Sequence, residues 1–158
     1  MKELVAFAKA HGVHISSCES LTAGLFAADI ASVPGASAVL SGALVTYSNE
    51  MKEKLARVPA DIIENFGAVS QECAVAMAAG ARLVTETDYC VSFTGNAGPD
   101  VMENKPAGLV YCAVASAVRV SVFEFQYHNI ERNELRERVC VDMAAHLLSI
   151  MKEDMNGS

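Results

Sequence analysis

The sequence predicts an α/β fold, a three-layer α/β/α sandwich around a mixed, mostly parallel sheet. Three observations predict it. Apolar stretches of strand length alternate with amphipathic stretches of helix length through most of the chain, the pattern of strands joined by helical crossovers. Alanine contributes heavily to the 52% hydrophobic content and Trp is absent, which suits helices packed close against a sheet. The 158 residues contain no repeat, low-complexity block or linker, and that length suits a single domain with one core over 1–158.

The elements follow in order. Residues 2–11 form a short amphipathic helix with Leu4, Val5 and Ala8 on one side, ended by Gly12. Residues 13–18 make a first strand, and 22–32 a helix closed by Pro34-Gly35. The long apolar run 38–47 predicts a strand buried on both faces. Asn49 is the expected cap of a helix over 50–57. Pro59 fits the first turn of a short helix reaching Phe66, and Gly67 stops it. Ser70 is placed to cap a helix over 71–85 whose buried side is expected to hold Cys73, Val75, Ala76, Ala79, Leu83 and Val84. A third strand spans 88–93. A loop with two Gly and two Pro covers 94–107, and 108–115 with 119–125 read as a hairpin. The last helix, 131–151, buries Leu135, Val139, Met143, Leu147 and Ile150, with a frayed tail over 152–158.

Composition narrows the function. A net charge of −7 disfavours a nucleic-acid partner, since phosphate contacts need clustered Lys and Arg. The N-terminal stretch carries Glu3 and no long apolar core, unlike a secretory leader, and the longest uncharged run, 30–49, is broken by Pro34, Gly35 and Gly42. No membrane partner is expected. The five cysteines form no CxxC and their number is odd, so neither a zinc site nor a disulfide framework is expected, and the cytoplasm is the expected compartment. The four His residues have no metal-ligand spacing.

Ligands of open α/β sheets sit beyond the carboxyl ends of the strands. Three such ends carry chemistry here: Cys18-Glu19-Ser20, Tyr47-Ser48-Asn49 and Thr94-Gly95-Asn96-Ala97-Gly98-Pro99. Ser20, between strand and helix, is placed either as a nucleophile beside helix N-terminal amides or, with Thr22, as an ordinary cap. Lys52 falls in the first turn of its helix, where the dipole disfavours a cation. A half-buried lysine there loses its proton readily and can serve as a base for serine; a solvated surface lysine is the plain alternative. Tyr47 could orient that lysine or relay a proton, or simply fill a sheet edge. The TGNAGP loop could cradle an anion, but it lacks both the GK[ST] ending of a phosphate-binding loop and a GxGxxG pattern. Arg132 and Arg136 share a helix face, as an anion clamp or as salt-bridge partners of Glu131 and Glu134. Cys18 could be a thiol nucleophile, but a buried strand thiol is the simpler reading.

Taken together, ESLTAG, GALVTYSNEMKEKL, GAVSQECAVAMAAGAR and TGNAGP with KPAGLVY, in this order, resemble the C-terminal domain of the competence/damage-inducible CinA family. The resemblance covers residues 4–150. Its stand-alone members are nicotinamide-nucleotide amidohydrolases; the larger members carry an additional N-terminal domain, which is expected to be absent here. The resemblance implies hydrolysis of the nicotinamide mononucleotide (NMN) carboxamide to nicotinate mononucleotide and ammonia, a pyridine-nucleotide salvage step needing no cofactor or metal. It places the serine, tyrosine and lysine at Ser20, Tyr47 and Lys52. It places Thr22, Gly24, Asn49, Thr94, Gly95, Ala97, Gly98 and Arg132 around a small nucleotide substrate, and it implies a homo-oligomer. The chain departs from the family pattern where Leu21 and Ala23 replace Cys and Gly of ESCTGG. It departs again at Asn96, and where Asp100-Val101-Met102 replace loop glycines. Of the GDR before the last helix only Arg132 remains. A catalytically idle nucleotide-binding module, and an amidase for another small amide, are the alternatives.

Overall fold

The computed structural model describes residues 1–157. In chain order it contains α1 (Lys2–Ala10), β1 (Ile15–Glu19), α2 (Leu25–Ala31), a 3-10 turn (Ala36–Ala38), β2 (Leu40–Val45), α3 (Asn49–Ala56), α4 (Ala60–Phe66), α5 (Gln71–Thr85), β3 (Tyr89–Gly95), β4 (Leu109–Ala115), β5 (Val120–Gln126) and α6 (Arg132–Asn156). The five-stranded sheet has the order β2-β1-β3-β4-β5. β1 pairs in parallel with both β2 and β3, whereas β3–β4 and β4–β5 are antiparallel. The sheet is mixed, as expected, and evenly divided between the two kinds of pairing.

Helices cover both faces. On one, α1, α2 and α6 pack with Ile15, Val91, Phe93, Val110, Cys112 and Val114 into the larger core. On the other, α3 and α5 pack on Cys18 and Cys90, with Ala113 and Ala115 beneath α5. Strand side chains alternate between faces, so Ile15 and Cys18 of β1 fall on opposite ones. The same period sends Ser20, just past the end of β1, toward α3.

Several sequence expectations are corrected. β2 is an edge strand with every second residue exposed, not a strand buried on both faces, because only β1 pairs with it. The cap of α3 is Ser48, whose hydroxyl accepts from the Met51 amide, and Asn49 is the first helical residue. The buried face of α5 is Cys73, Ala74, Met77, Ala78 and Ala81, while Leu83 is 63% exposed. Close approach causes this: a Cβ on Gly80 would lie 1.8 Å from the Ala56 carbonyl, so small residues face inward and the larger ones are displaced outward. α6 runs on to Asn156 instead of ending at Met151. Asp154 anchors that extension, accepting from the Tyr89 hydroxyl at 2.6 Å and from Arg119 at 2.9 Å. Among the described residues no helix is long and apolar enough to cross a membrane.

Candidate active site

β1 carries the chain out of the sheet centre at Ser20, whose amide donates to Phe93 O at 2.9 Å and so fixes the residue to β3. The neighbouring strand, β2, is followed by Thr46 and Tyr47, and α3 starts at Asn49. Its Lys52 therefore turns back over the strand ends. Lys52 is 2% exposed. Its Nζ lies 3.0 Å from Ser20 Oγ, donates to Thr46 O at 3.0 Å, and reaches Tyr47 O at 3.3 Å. Burial pushes its pKa below the ordinary lysine value, against weaker opposing influences from Cys73, Cys18 and Glu103. An uncharged amine has two N–H donors and one lone pair. Two carbonyls and one hydroxyl match that set.

A cavity of about 150 Å³ opens beside the pair, lined by Ser20, Leu21, Tyr47, Gly95, Asn96, Ala97, Met102 and Arg132. Arg132 and Ala97 also line an adjoining hollow of about 590 Å³ with Gly98, Pro99, Tyr127 and others. Arg132 is held between two groups, donating to Gly98 O at 2.7 Å and to the Tyr47 hydroxyl at 3.1 Å. The Tyr47 hydroxyl thus faces the arginine, while its main-chain carbonyl meets the lysine.

The expected residues divide accordingly. Ser20, Lys52, Tyr47, Gly95, Ala97 and Arg132 converge. Asn49 does not: it is exposed on α3 and off the cavity wall. The Thr94 hydroxyl donates to Ala68 O at 2.6 Å, fastening β3 to the start of α5. Gly24 is the left-handed residue before α2, at φ 98. Thr22 is fully buried and its Oγ1 has no partner among the described residues. Ala23, where the family pattern has Gly, holds φ 48.

Two expectations about backbone donors are also corrected. The N-terminal amides of α2 are not free beside Ser20. The buried Glu19 carboxylate accepts from Phe26 N at 2.9 Å and Ala27 N at 3.1 Å, and from the Ser17 hydroxyl. In the loop after β3, Asn96 N donates to Leu109 O, and Gly98 N to Asn96 Oδ1 at 3.0 Å. Those two amides therefore serve the loop itself. Arg136 does not join Arg132: its Nε donates to Leu21 O at 2.8 Å and its Nη2 to Thr22 O at 3.1 Å. Cys18 is fully buried, and burial first of all raises its thiol to about 11, the behaviour of a structural strand thiol and not of an activated one.

Sequence reasoning missed Thr46, whose contribution is a backbone carbonyl and so leaves no mark in residue type. It missed the cap supplied by Glu19 as well, although an acid just before a strand-to-helix turn is a usable signal.

The CinA C-terminal domain model matches residues 1–151. The chain belongs to the CinA C-terminal domain family. A protein from Listeria welshimeri named as a putative competence-damage inducible protein is 45% identical over 78% of this chain, and 30% of its own length is covered. One of the same name from Bacillus pumilus is 37% identical over 90% of this chain and 34% of its own. The chain thus spans about a third of these CinA-family relatives. The solved competence/damage inducible protein CihA from Agrobacterium tumefaciens is 32% identical with a TM-score of 0.87, covering 94% of this chain and 93% of that one. A CinA superfamily protein from Klebsiella pneumoniae shares the fold with a TM-score of 0.93 at 23% identity, over 96% and 95% of the two chains.

Proposed function

We propose that this CinA-family chain hydrolyses the carboxamide of nicotinamide mononucleotide, with Ser20 as nucleophile and Lys52 as general base. The observation that carries the reading is a buried lysine amine 3.0 Å from a serine hydroxyl at the mouth of a cavity. Uncharged Lys52 gives its two N–H groups to Thr46 O and Tyr47 O and takes the Ser20 proton on its lone pair. Ser20 Oγ bonds to the carboxamide carbon, and the C=O electron pair moves onto oxygen. The C–N bond then breaks, and the proton held by Lys52 leaves with ammonia. Water, deprotonated by the same amine, attacks the acyl-serine; the C–Oγ bond breaks, the amine returns the proton to Ser20 Oγ, and nicotinate mononucleotide leaves. General base help of this kind contributes roughly 10²–10⁴ in rate.

Arg132 suits the phosphate end. Its guanidinium stands between the small cavity and the larger hollow, which allows a ring in the first and the ribose phosphate toward the second. The pairing of a neutral amine with serine needs no metal and no cofactor.

Ammonia release from NMN, measured for wild type, Ser20→Ala and Lys52→Ala, tests the assignment. Both variants are expected to fall to background, and full activity in either overturns it. One observation favours a second reading. Met102 stands in the wall of the cavity of about 150 Å³ where the family pattern has glycine, and adds an apolar side chain there. A smaller amide then becomes the substrate, and nicotinamide turned over faster than NMN would favour it. Tight NMN binding without turnover would favour an idle binding module.

A further inference from the structure

Ser20 is followed by two amides that have no acceptor. Ser20 N serves Phe93 O, and Ala23 N returns to Ser20 O at 3.0 Å to close the turn. Between them, the amides of Leu21 and Thr22 meet no acceptor among the described residues, although these residues are 4% and 0% exposed. Buried amides are almost always paired, so two in succession beside a nucleophile require a use. The helix behind them cannot supply it, since Glu19 occupies its leading amides.

The carbonyls of the same two residues are occupied. Arg136, reaching across from α6, donates through Nε to Leu21 O and through Nη2 to Thr22 O. Its Nη1 is fastened to Asn133 Oδ1 at 3.0 Å, so the guanidinium is itself held. The peptide between Leu21 and Thr22 is trans, and a trans peptide points its C=O and N–H in opposite directions. Binding the Leu21 carbonyl to Arg136 therefore turns the Thr22 N–H away from α6. A cation on a peptide carbonyl also polarises the peptide and strengthens its N–H as a donor.

We propose that Arg136 is a positioning residue: by holding Thr22 O it fixes the peptide whose Ala23 N–H grips Ser20 O, and so sets the Ser20–Leu21 peptide plane in which the Leu21 amide, on the cavity wall, receives the oxyanion. This rests on Ser20 acting as the nucleophile. The guanidinium touches neither substrate nor reacting atoms. Its effect falls on the tetrahedral state, in which the former carboxamide oxygen carries the negative charge, and not on ground-state binding.

The test compares wild type, Arg136→Gln, Arg136→Lys and Ser20→Ala in steady-state NMN hydrolysis, with thermal melting as a check on folding. In parallel, binding of 3-pyridineboronic acid is measured, since it forms a tetrahedral adduct with an activated serine. Loss of one oxyanion donor costs roughly 10²–10³ in kcat, so Arg136→Gln is expected to lose about 10²-fold in kcat with KM within about threefold, and to lose the boronate adduct. Arg136→Lys retains the charge and can hold one carbonyl. It is expected to recover part of the loss, and it carries the test should the Gln variant fail to fold. Wild-type kcat in Arg136→Lys together with wild-type boronate binding overturns the proposal, as does a loss confined to KM. If the wild-type protein itself neither releases ammonia nor forms the adduct, the Ser20 assignment fails instead.

Discussion

A lysine amine pressed against two backbone carbonyls and a hydroxyl is adequately satisfied without its third proton. In the proposed reaction the carbonyls of Thr46 and Tyr47 take the two hydrogens of uncharged Lys52, which leaves its lone pair for Ser20, 3.0 Å away. Tyr47 takes part through two different atoms. Its carbonyl holds the lysine and survives any side-chain substitution, while its hydroxyl holds Arg132. Tyr47→Phe is therefore expected to raise KM for NMN by about tenfold, the worth of one hydrogen bond to a charged group, while kcat falls less than threefold. Steady-state kinetics decide it; a collapse of kcat at constant KM would make the hydroxyl a proton carrier. The residue types of the site were legible because each is unusual in its place, a cation at the start of a helix and a serine past a strand end. The backbone acceptors and the Arg136 contacts were not, because they depend on peptide orientation.

The spacing between elements sets the position of that lysine. α3 carries Lys52, and α5 presses on α3 at Gly80, where an added Cβ would meet the Ala56 carbonyl. That carbonyl belongs to the helix backbone and cannot rotate aside. Gly80→Ala is expected to destabilise the fold by about 3 kcal/mol, the upper range for overpacking, and to lower Tm by roughly 6–12 °C. It should also reduce kcat of the folded fraction, because α3 must shift with Lys52 on it. Calorimetry with kinetics below the transition measures both; an unchanged Tm would mean that the two helices do not meet so closely. This contact also explains why the inward face of α5 was misread. Alanine and glycine carry little apolar signal, so Leu83 and Val84 dominated the pattern although they face outward. The inward face of α6, lined by Leu135, Val139, Met143, Leu147 and Ile150, was legible because its residues are large.

At the scale of the whole molecule, the parallel half of the sheet aligns the ends of β1 and β2, and that alignment brings Ser20 and Lys52, 32 apart in sequence, within hydrogen-bond distance. The alternation of elements made the α/β class legible. The edge position of β2 was not, since an apolar run of that length looks the same at the centre of a sheet as at its rim. Burial of Lys52 has a consequence for stability. Its pKa in the folded protein is below the ordinary 10.5, so between those two values the unfolded chain binds more protons than the folded one. Its contribution to stability therefore rises with pH across that window and is least favourable below it. The difference in unfolding free energy between wild type and Lys52→Met should move in favour of wild type as pH rises toward 10.5; a flat difference would mean that the lysine titrates normally. In the proposed reaction the same titration governs the chemistry. The rate at which a fluorophosphonate probe labels Ser20, followed against pH in wild type and in Lys52→Met, tests the pair most directly. Labelling that climbs with pH through a midpoint below 10.5 in wild type and is lost in Lys52→Met is the predicted result. Equal labelling in the two proteins, or none in wild type, would contradict it.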